Sequence, residues 1–126
     1  MESAREKKAW YTVKRARSFS HALRGIKIFL ATTPNAWIHI LAVLIVVIFG
    51  FYFQVSGLEW LALILAIGLV LVAEAFNTAV EIDINLTSPN YHPYARDTKD
   101  VAAGAVLISA LISVIVALII FLPKIF

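Results

Sequence analysis

The chain has 126 residues, of which 61% are hydrophobic and only 15% charged, and it has no cysteine. That composition excludes a disulfide scaffold, a cysteine metal site and a thiol nucleophile, and it identifies an integral membrane protein. The formal charge of +3 is unevenly spread, because eight of the eleven basic residues (Arg5, Lys7, Lys8, Lys14, Arg15, Arg17, Arg24 and Lys27) precede the first long apolar run.

By the positive-inside rule the basic end stays in the cytoplasm against anionic headgroups, and no nucleic-acid partner is expected. A chain this short forms only a few spans with little interior, so work done in the interior needs oligomers.

From residue 4 to 31 the pattern is amphipathic, with Trp10, Val13, Phe19, Leu23, Ile26 and Leu30 interleaved among the basic residues. It predicts a helix lying on the membrane surface. The first unbroken apolar run starts only after some thirty-five residues, so a cleaved signal peptide is not expected. Thr33-Pro34-Asn35 breaks the pattern. The run 36–55 that follows is about the twenty residues needed to cross a core of roughly 30 Å. His39 is its one titratable group apart from Tyr52, and lies one turn inside the cytoplasmic end, where the expectation is an imidazole that merely reaches interfacial water.

Gln54 to Gly57 reads as a short external turn, with Tyr52 and Trp60 as interfacial aromatics. A second membrane helix is predicted over 58–85, apolar to Ala73 and projecting into the cytoplasm beyond it. Thr87 to Tyr94, with Pro89 and Pro93, reads as a cytoplasmic loop. The third span is predicted over 101–122. It opens with Ala102, Ala103, Gly104 and Ala105, small residues that permit close helix approach. Three spans put the C-terminus outside, and there is no internal repeat.

The chemistry concentrates between residues 74 and 100. On a helix, Glu74, Asn77, Thr78 and Glu81 share one face, with Glu81 roughly 10 Å nearer the cytoplasm than Glu74. A carboxylate in the hydrocarbon boundary is costly, up to roughly 2.5 to 3.5 kcal/mol at a helix centre, so a bound cation, proton or substrate is expected to offset it. The spacing suits a reaction between a membrane alcohol and a soluble phosphate donor. Glu74 would accept the hydroxyl proton and Glu81 would hold a divalent cation on the phosphates. Lys99 would neutralise phosphate charge, backbone N–H groups at the start of the third span would assist, and Asp100 would ligand the metal or orient Lys99.

Plainer roles exist for some of these residues. Asp100 reads equally as an N-cap, Lys99 as a snorkelling side chain, and Asn77 and Thr78 as contacts between helices. Asp83 and Asp97 read as solvated charges.

The string from Glu74 through Ala75, Phe76, Asn77, Thr78, Ala79 and Val80 to Glu81, followed after a loop containing Tyr91-His92 by Lys99-Asp100 and the run to Val106, resembles the signature of the small prokaryotic diacylglycerol kinase and undecaprenol kinase family. The resemblance implies an all-α membrane protein, one kinase domain over 1–126, with an N-terminal surface helix and three membrane helices. It implies a homotrimer with composite sites between subunits in the bacterial cytoplasmic membrane, using ATP with Mg2+.

By match to the motif, Glu74 would be the proton acceptor, Glu81 and Asn77 the metal and phosphate site, and Lys99 and Asp100 nucleotide contacts. Asn90, Tyr91 and His92 would lie in the loop near the nucleotide, with Lys14 and His21 facing it from the surface helix. Gly25 and Ala103 would join Glu74 at the lipid. Two positions depart from the family pattern: Thr33 and Asn85 stand where the family usually has acidic residues, which puts metal affinity at issue. Phe76-Asn77-Thr78 and the loop from Ser88 to Pro93 look more like undecaprenol kinases than diacylglycerol kinases. Two other readings are an oligomeric ion- or proton-conducting protein and a catalytically degenerate family member.

Overall fold

In the computed structural model, residues 3–126 are described, and every regular element among them is helical: α1 (Ala4–Thr32), α2 (Ala36–Tyr52), α3 (Gly57–Thr87) and α4 (Pro93–Ile125). The chain divides into two compact units, the first ending at Thr32 and the second running Thr33–Phe126.

The first unit is α1. It opens with a reciprocal cap, in which the Ser3 N–H donates to Glu6 Oε2 at 2.7 Å and the Glu6 N–H donates to Ser3 Oγ at 3.2 Å. These bonds satisfy two of the donors that a helix start leaves free. The same Ser3 backbone bond holds the Glu6 carboxyl below the usual carboxylate range. No α1 residue is buried, and Lys14 Nζ sits 5.0 Å from the Trp10 ring centroid, a cation–π contact on the exposed surface.

In the second unit, α2 stops three residues short of the expected 55. Gln54 adopts the left-handed region at φ 51°, and the Val55 N–H turns back to the Gly50 carbonyl at 3.1 Å. The turn seats Val55 in the core instead of extending the helix. A capping box then starts α3: the Glu59 N–H donates to Ser56 Oγ at 3.2 Å and the Ser56 N–H donates to Glu59 Oε1 at 2.9 Å.

The start of α4 differs more from expectation. The sequence predicts it at 101, whereas the helix begins at Pro93. Proline is preset for the first helical position, and the His92 ring caps the turn by accepting the Tyr94 N–H at Nδ1, 3.1 Å away. The helix N-terminus therefore lies roughly 12 Å from where the apolar run begins. Asp100 is not an N-cap, and Lys99 lies in the second turn of the helix rather than ahead of it.

Both α3 and α4 are long and apolar enough to cross a membrane. At 31 residues, α3 measures about 46 Å, well beyond a hydrocarbon core of roughly 30 Å, so its polar C-terminal third emerges from the bilayer. α4 packs mainly along α3, and α2 touches α3 more sparsely. Val55, Leu63, Ile120 and Phe121 form the core at the end of the α2–α3 turn, with Trp60 and Phe53 against it. There Lys124 Nζ approaches Glu59 Oε1 to 3.2 Å, and midway along the seam Ser113 Oγ donates to the Ala66 carbonyl at 3.0 Å. Large apolar side chains such as Leu65, Ile108 and Ile119 remain exposed, as a surface solvated by lipid requires.

Candidate active site

The polar stripe of α3 is partnered residue by residue. Glu74 Oε1 lies 2.9 Å from His39 Nε2, with the two side chains only 14% and 19% exposed. His39 is therefore not the interfacial bystander that the sequence suggests. One turn on, Asn77 Nδ2 donates to Glu81 Oε1 at 3.4 Å, while Asn77 Oδ1 is buried without a partner. The buried hydroxyls of Thr78 and Thr33 share a hydrogen bond of 3.1 Å. Thr78 thus bridges α3 to the segment ahead of α2, and Thr33 is committed to that bridge.

These groups open onto a cleft of about 230 Å³ lined by Thr33, Glu74, Asn77, Thr78, Glu81 and Ala103. A second cleft, of about 440 Å³, is lined by Asn85, Asn90, Tyr91, His92, Lys99 and Asp100. Within it Lys99 Nζ donates to Asn85 Oδ1 at 2.7 Å. The ammonium is held by a neutral carbonyl oxygen rather than by a carboxylate, which suits an anionic ligand. Asp100 makes a loose, exposed pair with Arg96 at 3.8 Å.

The residues singled out from sequence on α3 and α4 thus fall into two neighbouring clefts, one carboxylate-rich and one cationic. Lys14, His21 and Gly25 lie exposed along α1. Asp83 and Asp97 are exposed, as expected.

Among the described residues no three His, Asp or Glu side chains converge as a metal cage. The residues lining the first cleft carry two oxygen donors, the Glu81 carboxylate and the orphaned, buried Asn77 carbonyl. A buried acceptor left without a partner costs about 1–3 kcal/mol, which a cation on Asn77 Oδ1 would relieve. Magnesium, which takes one or two carboxylates and completes its shell with phosphate oxygens and water, fits this sparse donor set.

Three contacts were not legible in the sequence: His39 to Glu74, Thr33 to Thr78, and Asn85 to Lys99. The first had a faint signal, because His39 lies one turn inside α2 and Glu74 ends the apolar stretch of α3, so both sit at the same boundary depth.

The prokaryotic diacylglycerol kinase family model matches residues 20–121. The chain belongs to that family. As a member of the prokaryotic diacylglycerol kinase family it is a membrane lipid kinase with ATP as phosphate donor. It is 44% identical over 108 residues to the undecaprenol kinase of Bacillus subtilis, covering 86% of this chain and 88% of the relative. It is 36% identical over 107 residues to a diacylglycerol kinase of Synechocystis, covering 84% of this chain and 61% of that protein. A Helicobacter pylori diacylglycerol kinase is 30% identical over 101 residues, covering 75% of this chain and 79% of the relative. The interval matched by the family includes the whole of both clefts.

Proposed function

We propose that this lipid kinase transfers the terminal phosphoryl group of Mg-ATP to undecaprenol at the cytoplasmic boundary of the bacterial membrane. The observation that carries the reading is the cleft that gathers Glu74, Asn77 and Glu81 beside the cationic cleft of Lys99. The preference for undecaprenol over diacylglycerol is supported by the 44% identical relative and by the sequence of the Ser88 to Pro93 loop.

In this reading Glu74 takes the proton of the lipid hydroxyl on Oε2, since Oε1 is engaged by His39. The hydroxyl oxygen forms a bond to the terminal phosphorus as the bond to the bridging oxygen breaks, and that electron pair leaves on ADP. The proton on Glu74 then passes to water. Glu81 and Asn77 Oδ1 would hold Mg2+, which when bound neutralises charge on the phosphates. Lys99 supplies a fixed positive charge to the nucleotide phosphates. Asp100, Asn90, Tyr91 and His92 line the second cleft and complete its nucleotide contacts, and the family motif alone assigns Lys14 and His21 to the nucleotide. Gly25 and Ala103 border the lipid.

The three-helix unit with its N-terminal surface helix is one kinase domain with a cytoplasmic N-terminus. α2, apolar along its 17 residues, rises about 26 Å and serves as a third span together with the turn residues to Val55 that follow it. A homotrimer is supported by the small buried core and by the Ala102 to Ala105 run on α4.

The test is transfer of labelled terminal phosphate from Mg-ATP to undecaprenol and to diacylglycerol in parallel, in detergent micelles. Glu74→Gln is expected to lose at least about 100-fold in kcat, the range of general base catalysis. Ion flux in liposomes without ATP, or ATP binding without transfer to either lipid, would sink the reading.

A further inference from the structure

The Glu74 carboxylate projects from α3, and the polar group that meets it comes from α2: His39 Nε2, 2.9 Å from Oε1. Glu81 faces the same cleft from α3 itself, α4 contributes only Ala103 and Val106, and the segment ahead of α2 contributes Thr33, Pro34 and Asn35. Among the described residues no other hydrogen bond reaches the Glu74 side chain. Its side chain has three rotatable bonds, so without His39 nothing polar fixes where the free oxygen points.

The pair also marks a boundary. On one side Glu74 lines the oxygen-rich cleft of about 230 Å³. On the other, His39 lines a separate apolar slot of about 210 Å³ with Val43, Val46, Val70, Leu71 and Val114. An alcohol with a long apolar body presents its hydroxyl where such surfaces meet. A carboxylate that is to take a proton from the lipid can only accept, so in that role its partner at Oε1 is the Nε2–H tautomer of His39, and a charge-assisted bond holds the oxygen.

We propose that His39 is the positioning residue for Glu74: its Nε2–H holds Oε1, so that Oε2 alone faces the lipid hydroxyl at the junction of slot and cleft. The proposal rests on the reading of Glu74 as proton acceptor. His39 touches the carboxylate and not the reacting atoms, so its removal acts on turnover and leaves nucleotide binding unchanged.

The test compares His39→Leu, His39→Gln and His39→Asn in the full chain, in mixed micelles with undecaprenol, with Glu74→Gln beside them. A glutamine amide reaches the place of Nε2, whereas an asparagine amide reaches only that of Nδ1. His39→Leu is expected to lower kcat by about 10- to 100-fold, the cost of a misplaced catalytic group, with KM for ATP unchanged. His39→Gln is expected to restore most of the rate, and His39→Asn is not.

Wild-type kcat in His39→Leu overturns the proposal, as does a loss confined to KM. If His39→Leu does not fold, equal rates in the Gln and Asn variants overturn it. Wild-type turnover in Glu74→Gln would instead remove the proton-acceptor reading, and so separates the failure of that reading from the failure of this one.

Discussion

Gly50 faces the Trp60 indole so closely that it has no room for a side chain. A Cβ built there would lie 2.6 Å from Trp60 Cζ2 and 2.9 Å from Cζ3, and nearer still to Cη2. Carbon atoms settle at about 3.5–4.0 Å, so the ring must retreat by about 1 Å or more. It is not free to do so, being tilted against Phe51 at 5.1 Å between centroids and packed on the core of Val55, Leu63, Ile120 and Phe121. Overpacking of this kind costs about 1–3 kcal/mol, against which alanine gains about 1 kcal/mol over glycine in a helix interior. Gly50→Ala is therefore expected to destabilise the α2–α4 unit by about 0–2 kcal/mol. In a Trp60→Leu background the obstruction is gone, and the same substitution is expected to stabilise by up to about 1 kcal/mol. The double-mutant cycle should then show a coupling of about 1–3 kcal/mol. Unfolding in mixed micelles with rising SDS, followed by far-ultraviolet circular dichroism, measures all four corners. A Gly50→Ala protein more stable than the parent, with no coupling to Trp60, would refute the packing argument.

Thr78→Val leaves the buried Thr33 hydroxyl without its partner and is expected to cost about 1–3 kcal/mol; adding Thr33→Val should recover much of it, read by the same unfolding assay. Asn77→Leu removes the orphaned oxygen from the carboxylate cleft, so the Mg2+ concentration for half-maximal phosphate transfer is expected to rise about tenfold or more, while Asn77→Asp, which keeps an oxygen there, should fall between. At the start of α1 the folded-state carboxyl of Glu6 is held low by the Ser3 backbone bond. Its contribution is present when the carboxyl is ionised and is lost as the pH falls from the ordinary glutamate value through the lower folded one. Amide protection over the first turn of α1, referred to intrinsic exchange at each pH, is expected to fall in that range, and Glu6→Gln should remove most of the pH response.

Much of this protein could be read along the chain because membranes impose strict local rules. Apolar runs of sufficient length, the break at Thr33-Pro34-Asn35 and the turn at Gln54 to Gly57 locate α2 and α3 within a few residues. The three- and four-residue spacing of Glu74, Asn77, Thr78 and Glu81 places them on one helix face whatever surrounds it. The start of α4 escaped because hydropathy reports where a helix enters the apolar phase, not where hydrogen bonding begins; Pro93 and the His92 cap set the latter, and the polar residues up to Asp100 are helical without being buried.

Side-chain partnership depended on the packing of helices. His39 and Glu74 are 35 positions apart and Thr33 and Thr78 are 45 apart, so no period in the sequence connects them. The sequence alone determined a helical membrane protein with a carboxylate stripe at its boundary and a family signature across it, since these follow from hydropathy and from residue order. Only the tertiary structure decided that α2 brings an imidazole to Glu74, that Thr33 is occupied by Thr78, and that Asn77 keeps a buried oxygen unpaired. Those outcomes depend on how α2, α3 and α4 are set against one another, and that is fixed by interlocking contacts such as Gly50 beneath Trp60, which no single segment contains.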